Sequence, residues 1–258
     1  MLKKTLVVFF LTYLTSFSTA SDELEIVVSW HKPPYVLMDQ DSGFELDLVR
    51  AIFNEMGYTL KPNYLPFGRI ERTVAGGKMD VALTLNYRHN VDRTILTNEY
   101  VRFQNVAVTL ADNQIEINGI SDLSKYRVVG FQTASKVLGE EFARMTQNHV
   151  NYTEVADQRT QVITMLRGKF DVAVMDRNIY QWISATLPDN IQQPTKIHNL
   201  FALNGYRAAI PDPQMRSTFN AILHRFMQDG RYKMLLDKYY LENLFGEQVK
   251  SPTQALED

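Results

Sequence analysis

The pattern Gly-Lys-x-Asp-Val-Ala occurs twice, starting at Gly77 and Gly168, 91 residues apart. Repeats with periods of about 20–50 residues build solenoids and propellers, whereas one recurrence at a longer spacing marks a duplicated lobe. In each copy a helical stretch ends on a glycine, which supplies the positive φ of a helix C-terminus, and Val-Ala opens a strand that buries in a sheet. The copies then diverge. The first runs on into Thr84-Leu85-Asn86, and the second ends at Met175-Asp176. Ligands in open α/β sheets sit at the carboxyl ends of the strands, so the repeat reports on architecture and its differing ends on chemistry.

The segments around each copy support this. Leu24–Trp30 reads as a buried strand, broken by His31-Lys32-Pro33-Pro34-Tyr35. Phe44, Leu48, Ala51, Ile52 and Met56 then follow at helical spacing, with Gly57 as a stop. A second strand over 59–65, a short helix over 68–77 and a third strand over 79–85 complete the unit. The second copy predicts a strand over 126–131 and one helix over 133–147, opened by Thr133 or Ser135. A helix over 157–168 and a strand over 170–176 follow. Strands alternating with helices give a parallel sheet with helices on its faces. Segments 103–113 and 200–213 join the lobes, and two crossings make a hinge. The tail reads as two helices separated at Asp229-Gly230, packed on the first lobe.

Residues 1–20 combine a basic start, an apolar run and small residues at Ser18 and Ala20, which predicts a secretory signal peptide cleaved after Ala20 and a periplasmic location. The apolar run is shorter than the roughly 20 residues that span a bilayer. There is no cysteine, which removes a disulfide framework from consideration. Without Lys3 and Lys4 the chain carries 25 basic and 29 acidic residues, and it has no basic run; nucleic acid is therefore a poor partner. The five histidines (His31, His89, His149, His198, His224) lack ligand spacing, so no metal is expected. Neither a Gly-x-Ser-x-Gly elbow nor a phosphate-cradling loop occurs, and no cofactor is expected.

Taken together, "KPPY", "GFELDL", "PFGRIERTVAGGKMDVAL", "VVGFQTAS", "DVAVMD" and "DGRYKMLLDKYY" resemble extracellular solute-binding proteins of family 3, the amino-acid-type periplasmic binding proteins of ABC importers. The resemblance covers nearly all of residues 25–240. It implies an α/β, two-lobed periplasmic-binding-protein fold of type II with two hinge crossings. The first lobe is expected over 21–107 plus 208–258 and the second over 108–207. A monomer is implied that captures a small polar ligand, an amino acid or a related amine or carboxylate, for a membrane permease. The same trap can instead serve a membrane sensor.

The resemblance also implies a site. Asp176 falls where amino-acid binders hold the α-ammonium, and a cation closed away from water needs a paired charge. Its place before "RNIYQWI" equally suits a helix cap. Phe67 falls at the stacking aromatic, or packs in the core. Thr133 and Ser135 fall on the loop that offers hydroxyls and helix N–H groups to a carboxylate. Thr84 ends the first-lobe strand. Arg88 and Arg93 are the two candidate carboxylate clamps, in a stretch two residues shorter than the family's. Lys32 replaces a tyrosine or phenylalanine over the ligand; it either favours an extra negative charge or points to solvent. Arg69 belongs to a proline-aromatic-x-arginine stretch resembling a divergent branch, and either reaches the cleft or pairs with Glu71, Asp80 or another local acid. An enzymatic alternative is a cyclohexadienyl or arogenate dehydratase, which needs a poised acid such as Glu154 or Asp176. The reading preferred here is a binding protein without catalysis.

Overall fold

In the computed structural model of the chain the described residues are 22–30, 32–77 and 79–246. The expected export segment lies outside them, as do His31 and the side chain of Phe67. The first half runs β1 (Asp22–Ser29), α1 (Phe44–Glu55), β2 (Tyr58–Leu65), α2 (Phe67–Ala75), β3 (Val81–Leu85) and β4 (Val101–Phe103). The second runs β5 (Asn105–Leu110), β6 (Val128–Phe131), α3 (Ala134–Val137), α4 (Glu140–Gln147), β7 (Tyr152–Val155), α5 (Gln158–Leu166), β8 (Val172–Asp176), α6 (Arg177–Ala185) and β9 (Thr195–His198). The chain then returns through β10 (Asn204–Ala209) and closes with α7 (Pro213–Gln228) and α8 (Arg231–Lys238).

Two five-stranded sheets result, ordered β2-β1-β3-β10-β4 and β7-β6-β8-β5-β9. In each, three parallel strands are extended by an antiparallel one: β10 beside β3, and β5 beside β8. The duplicated pattern holds the same place in both. Gly77 and Gly168 take φ of 63° and 70°. Asp80 accepts the N–H of Glu25 at 2.8 Å, and Asp171 accepts the N–H of Arg127 at 2.8 Å. Each aspartate thus fastens the start of its strand to the parallel strand beside it.

Both sheets are buried on two faces, as the strand period of two dictates. Ile26 and Val28 join the main core while Val27 faces α2 with Ile70 and Val74. Ala173 and Met175 likewise join the main core, and Val172 and Val174 face Phe142 and Phe201 on the other side. The tail packs on the first lobe: Phe219 meets Phe53 at 5.7 Å between ring centroids, and Tyr232 meets Phe44 edge-on at 5.4 Å. Among the described residues no helix is long and apolar enough to cross a membrane.

Two expectations are corrected. The helix expected over 133–147 is two helices, because Gly139 turns at φ 96° and starts α4 afresh. The chain also changes sheet at Gln104 and again between His198 and Asn204, a few residues before the lobe limits expected at 107/108 and 207/208. Pairing decides this: Asn105 already lies opposite Asp176, and Asn204 is already opposite Phe103.

Candidate functional site

The site begins with a close approach of backbones. Gly43, at φ 123°, precedes α1 where an added Cβ would lie 2.5 Å from the Tyr35 carbonyl oxygen. Only glycine permits this contact. It lets the N–H groups of Phe44 and Glu45 bond the carbonyls of Pro34 and Tyr35, both at 3.0 Å. The loop after β1 and the first turn of α1 therefore form one unit, with Lys32, Tyr35 and Glu45 turned to the same interior.

Glu45 is fully buried. Its Oε2 accepts hydrogen bonds from the Thr84 hydroxyl at 2.7 Å and the Tyr100 hydroxyl at 2.5 Å. Thr84, at the carboxyl end of β3, has φ 62°, a strained conformation for a β-branched residue. Its N–H donates to the Tyr100 hydroxyl at 2.9 Å, which closes the network. Burial first, then the Glu45 charge, pushes the Tyr100 phenol well above its usual range, so it remains a donor.

Lys32 is neither solvent-directed nor free. Its ammonium lies 3.0 Å from Glu45 Oε1, with the side chain 18% exposed. The approach is not aligned as a hydrogen bond, so the contact is an ion pair. The same ammonium sits 4.2 Å from the ring centre of Phe103, 5.3 Å from Tyr35 and 5.9 Å from Tyr206. These three rings sit in series, tilted by 34° and 42°, with centroids 4.2 Å apart for Tyr35–Phe103 and 4.6 Å for Phe103–Tyr206.

Asp176 faces this group from the other lobe, at the end of β8. Its Oδ1 accepts the N–H of Ile179 at 3.0 Å, capping α6, and also the Tyr35 hydroxyl at 3.1 Å. Asn178 donates its amide to the same hydroxyl at 3.1 Å. Asp176 therefore caps α6 and also bonds across to the loop after β1. Its Oδ2 is buried with no hydrogen-bond partner among the described residues. Burial pushes the carboxyl up to about 6, against the Ile179 N–H, the Tyr35 hydroxyl and the Lys32 charge.

The other expected residues scatter. The N–H groups of Thr133 and Ser135 are bonded by the chain's own Glu154, at 2.7 and 2.8 Å, which corrects the reading that they stand open to a ligand. Thr133 sits at φ 72° and makes no side-chain cap. Burial would raise the Glu154 carboxyl, but Ser135, Tyr152 and Thr133 hold it below its usual range. That is the reverse of what an acid catalyst needs. Arg88 is exposed, although its charge acts on the Tyr206 phenol. Arg93 is exposed and sits 5.3 Å from the Tyr87 ring. Arg69 is exposed beside Arg72 and Thr73, while Glu71 lies 3.9 Å from His89 and Asp80 is bonded to Glu25. Phe67 opens α2, with its side chain outside the described residues.

Sequence reasoning missed Glu45, Phe103 and Tyr206. Glu45 left a signal, since it lies on the apolar stripe of α1 with Leu48, Val49 and Ile52 at i+3, i+4 and i+7. An acid on the inward stripe of a helix needs a buried partner.

Solved structures share this architecture. The P235GK mutant of the arginine-binding protein from T. maritima superimposes with TM-score 0.62 at 20% identity, over 84% of this chain and 95% of that one. The GluR0 ligand-binding core in complex with L-glutamate does so with TM-score 0.66 at 13% identity, over 85% and 99%. A histidine kinase sensor domain similar to periplasmic binding proteins gives 0.63 at 17%, over 85% and 97%. At these identities the likeness establishes the fold. Comparison with curated protein sequences gives no match. The match to a family model extends over residues 24–242, and by it the chain belongs to the bacterial extracellular solute-binding proteins, family 3.

Proposed function

We propose that this protein is exported to the periplasm and captures a small polar solute, an amino acid or a related amine or carboxylate, between its lobes for an ABC importer. It acts as a monomer and without catalysis. The observation that carries the reading is Asp176: a buried carboxylate at the seam between the lobes, with one oxygen engaged and the other without a partner among the described residues. Opening about Gln104 and residues 199–203 would bring that oxygen into reach of a ligand's ammonium. Arg88 and Arg93, in the segment after β3, are the candidate groups for a ligand carboxylate, and Phe67 and Arg69 on α2 are further candidates.

A second reading, a soluble subunit for a membrane sensor, draws support from the likeness to a histidine kinase sensor domain. Genes for a permease and ATPase beside this one favour import, and genes for a membrane kinase or cyclase favour sensing.

The test is a thermal-shift screen of unfolded and refolded mature protein against amino acids, polyamines, short carboxylates and prephenate. A ligand at about 100 times its dissociation constant adds about 2.7 kcal/mol, a rise of roughly 5–10 °C at this size. Asp176→Ala should abolish the rise for an ammonium-bearing hit while leaving the fold intact. Consumption of prephenate would replace the binding reading with an enzymatic one.

A further inference from the structure

Three adjoining aromatic rings, tilted on one another, with the buried Glu45 carboxylate at the Lys32 ammonium and Asp176 at the Tyr35 hydroxyl, make an arrangement suited to a cation. An ammonium over aromatic faces is held by the ring quadrupoles, most strongly when desolvated. Here the chain supplies the cation itself. The Lys32 ammonium lies against the faces of Phe103, Tyr35 and Tyr206, ion-paired to Glu45 and mostly withdrawn from water.

We propose that Lys32 is a tethered cation that fills an aromatic cage, so that the trap turns away ligands of net positive charge and takes zwitterionic or anionic ones. This rests on the solute-binding reading above and narrows it. A free ammonium entering beside Lys32 would meet a like charge at close range, in a medium where like charges repel strongly. It would also find Glu45 already committed: Oε1 to Lys32, and Oε2 to Thr84 and Tyr100. Two buried carboxylate oxygens among the described residues lack a hydrogen bond: Glu45 Oε1 is ion-paired to Lys32, which leaves Asp176 Oδ2 for a single ammonium. A ligand that brings one ammonium and one carboxylate is balanced by Asp176 and by the positive charge of Arg88, the Lys32 charge being matched by Glu45. A polyamine or a second cationic group is not. Lys32 is thus a specificity-determining residue that acts by occupying the place a cationic side chain would take.

The experiment restores the missing piece. Lys32→Ala removes three methylenes and the ammonium, together equivalent to n-propylammonium. Melting temperatures are read for wild type and Lys32→Ala against n-propylammonium chloride, with sodium chloride at equal ionic strength as reference. The variant should show a saturable rise of roughly 3–6 °C at about ten times its dissociation constant. Wild type should show none, and Lys32→Ala combined with Glu45→Gln should lose the response. Equal responses in wild type and variant, or no response in the variant, overturn the proposal. If Lys32→Ala folds only with the amine present, refolding yield against amine concentration is the readout, and failure at every concentration counts against the cage. Wild type gives a second readout that needs no variant. Putrescine and L-arginine should produce no shift, and a saturable shift with putrescine overturns the filter. The amine rescue reports on the cage even when no solute in the screen binds, so failure of the cage and failure of the solute-binding reading are separable.

Discussion

At the scale of single residues, Asp176 carries a measurable tension. Its carboxyl titrates near 6 in the folded protein, because burial opposes ionisation more than Ile179, Tyr35 and Lys32 favour it. An unfolded aspartate titrates near about 3.9. Between these values the folded state binds the proton and the unfolded state does not, so stability falls as pH rises from about 4 to about 6. The loss is about 2–3 kcal/mol, since each unit is worth about 1.4 kcal/mol. Asp176→Asn keeps an oxygen for the Ile179 N–H and the Tyr35 hydroxyl but cannot ionise. We expect it to be more stable than wild type by about 1–3 kcal/mol at pH 7 and to lose that advantage near pH 4. Urea unfolding of both proteins at the two pH values decides this; an asparagine variant no more stable at pH 7 would mean the carboxylate is not strained. If Asp176 holds a ligand as proposed, the same substitution should weaken binding of an ammonium-bearing ligand, a trade of stability against function.

Elements show what the sequence can and cannot carry. Helix α1 and strands β1, β3 and β8 were legible because an apolar stripe or run is a local signal, and the whole buried face of α1 lies within twelve residues. The turn before β3 and β8 was legible for the same reason. The start of α3 was not. Ser and Thr before a helix suggest self-capping, yet the N–H groups of Thr133 and Ser135 are bonded by Glu154, a residue on β7 about twenty positions away. Only the parallel pairing of β6 with β7, which sets Gly130 opposite Glu154, brings them together. The Lys32 cage was illegible likewise, since its rings come from positions 35, 103 and 206. Glu154→Ala should therefore loosen one element. We expect a loss of about 1–2 kcal/mol at pH 7, in the range of partly solvated hydrogen bonds to a charged group. Because the Glu154 carboxyl is held low, its contribution is present above the usual carboxylate range and fades as pH falls through its folded value. Faster amide exchange confined to residues 133–138 would support this. Unchanged exchange there would leave α3 standing without Glu154.

On the scale of the whole molecule, the question is what holds the two lobes together. The Tyr35 hydroxyl donates to Asp176 and accepts from Asn178, joining the loop after β1 to the carboxyl end of β8. Nearer the hinge, Arg177 pairs with Glu242 at 2.8 Å and the Glu242 N–H donates to Asn178 at 3.0 Å, so the chain after α8 grips α6 as well. On the proposed reading, the hinge-side ties persist as the cleft opens if they lie close to the rotation axis, whereas the Tyr35 bond would have to break for a ligand to reach Asp176. Tyr35→Phe tests this with little change in packing, because the ring keeps its tilted contact with Phe103. A buried hydrogen bond to a charged group is worth about 1.5–3 kcal/mol, so the variant should shift the open–closed balance about 10- to 100-fold toward open. Small-angle scattering of ligand-free protein should show a larger radius of gyration for Tyr35→Phe than for wild type. Affinity should fall by a similar factor if closure over the ligand needs the same bond, and rise if the bond only competes with the ligand for Asp176. Either change makes Tyr35 part of the closing device. Identical scattering and identical affinity would move closure to the hinge-side contacts of Arg177 and Glu242 instead.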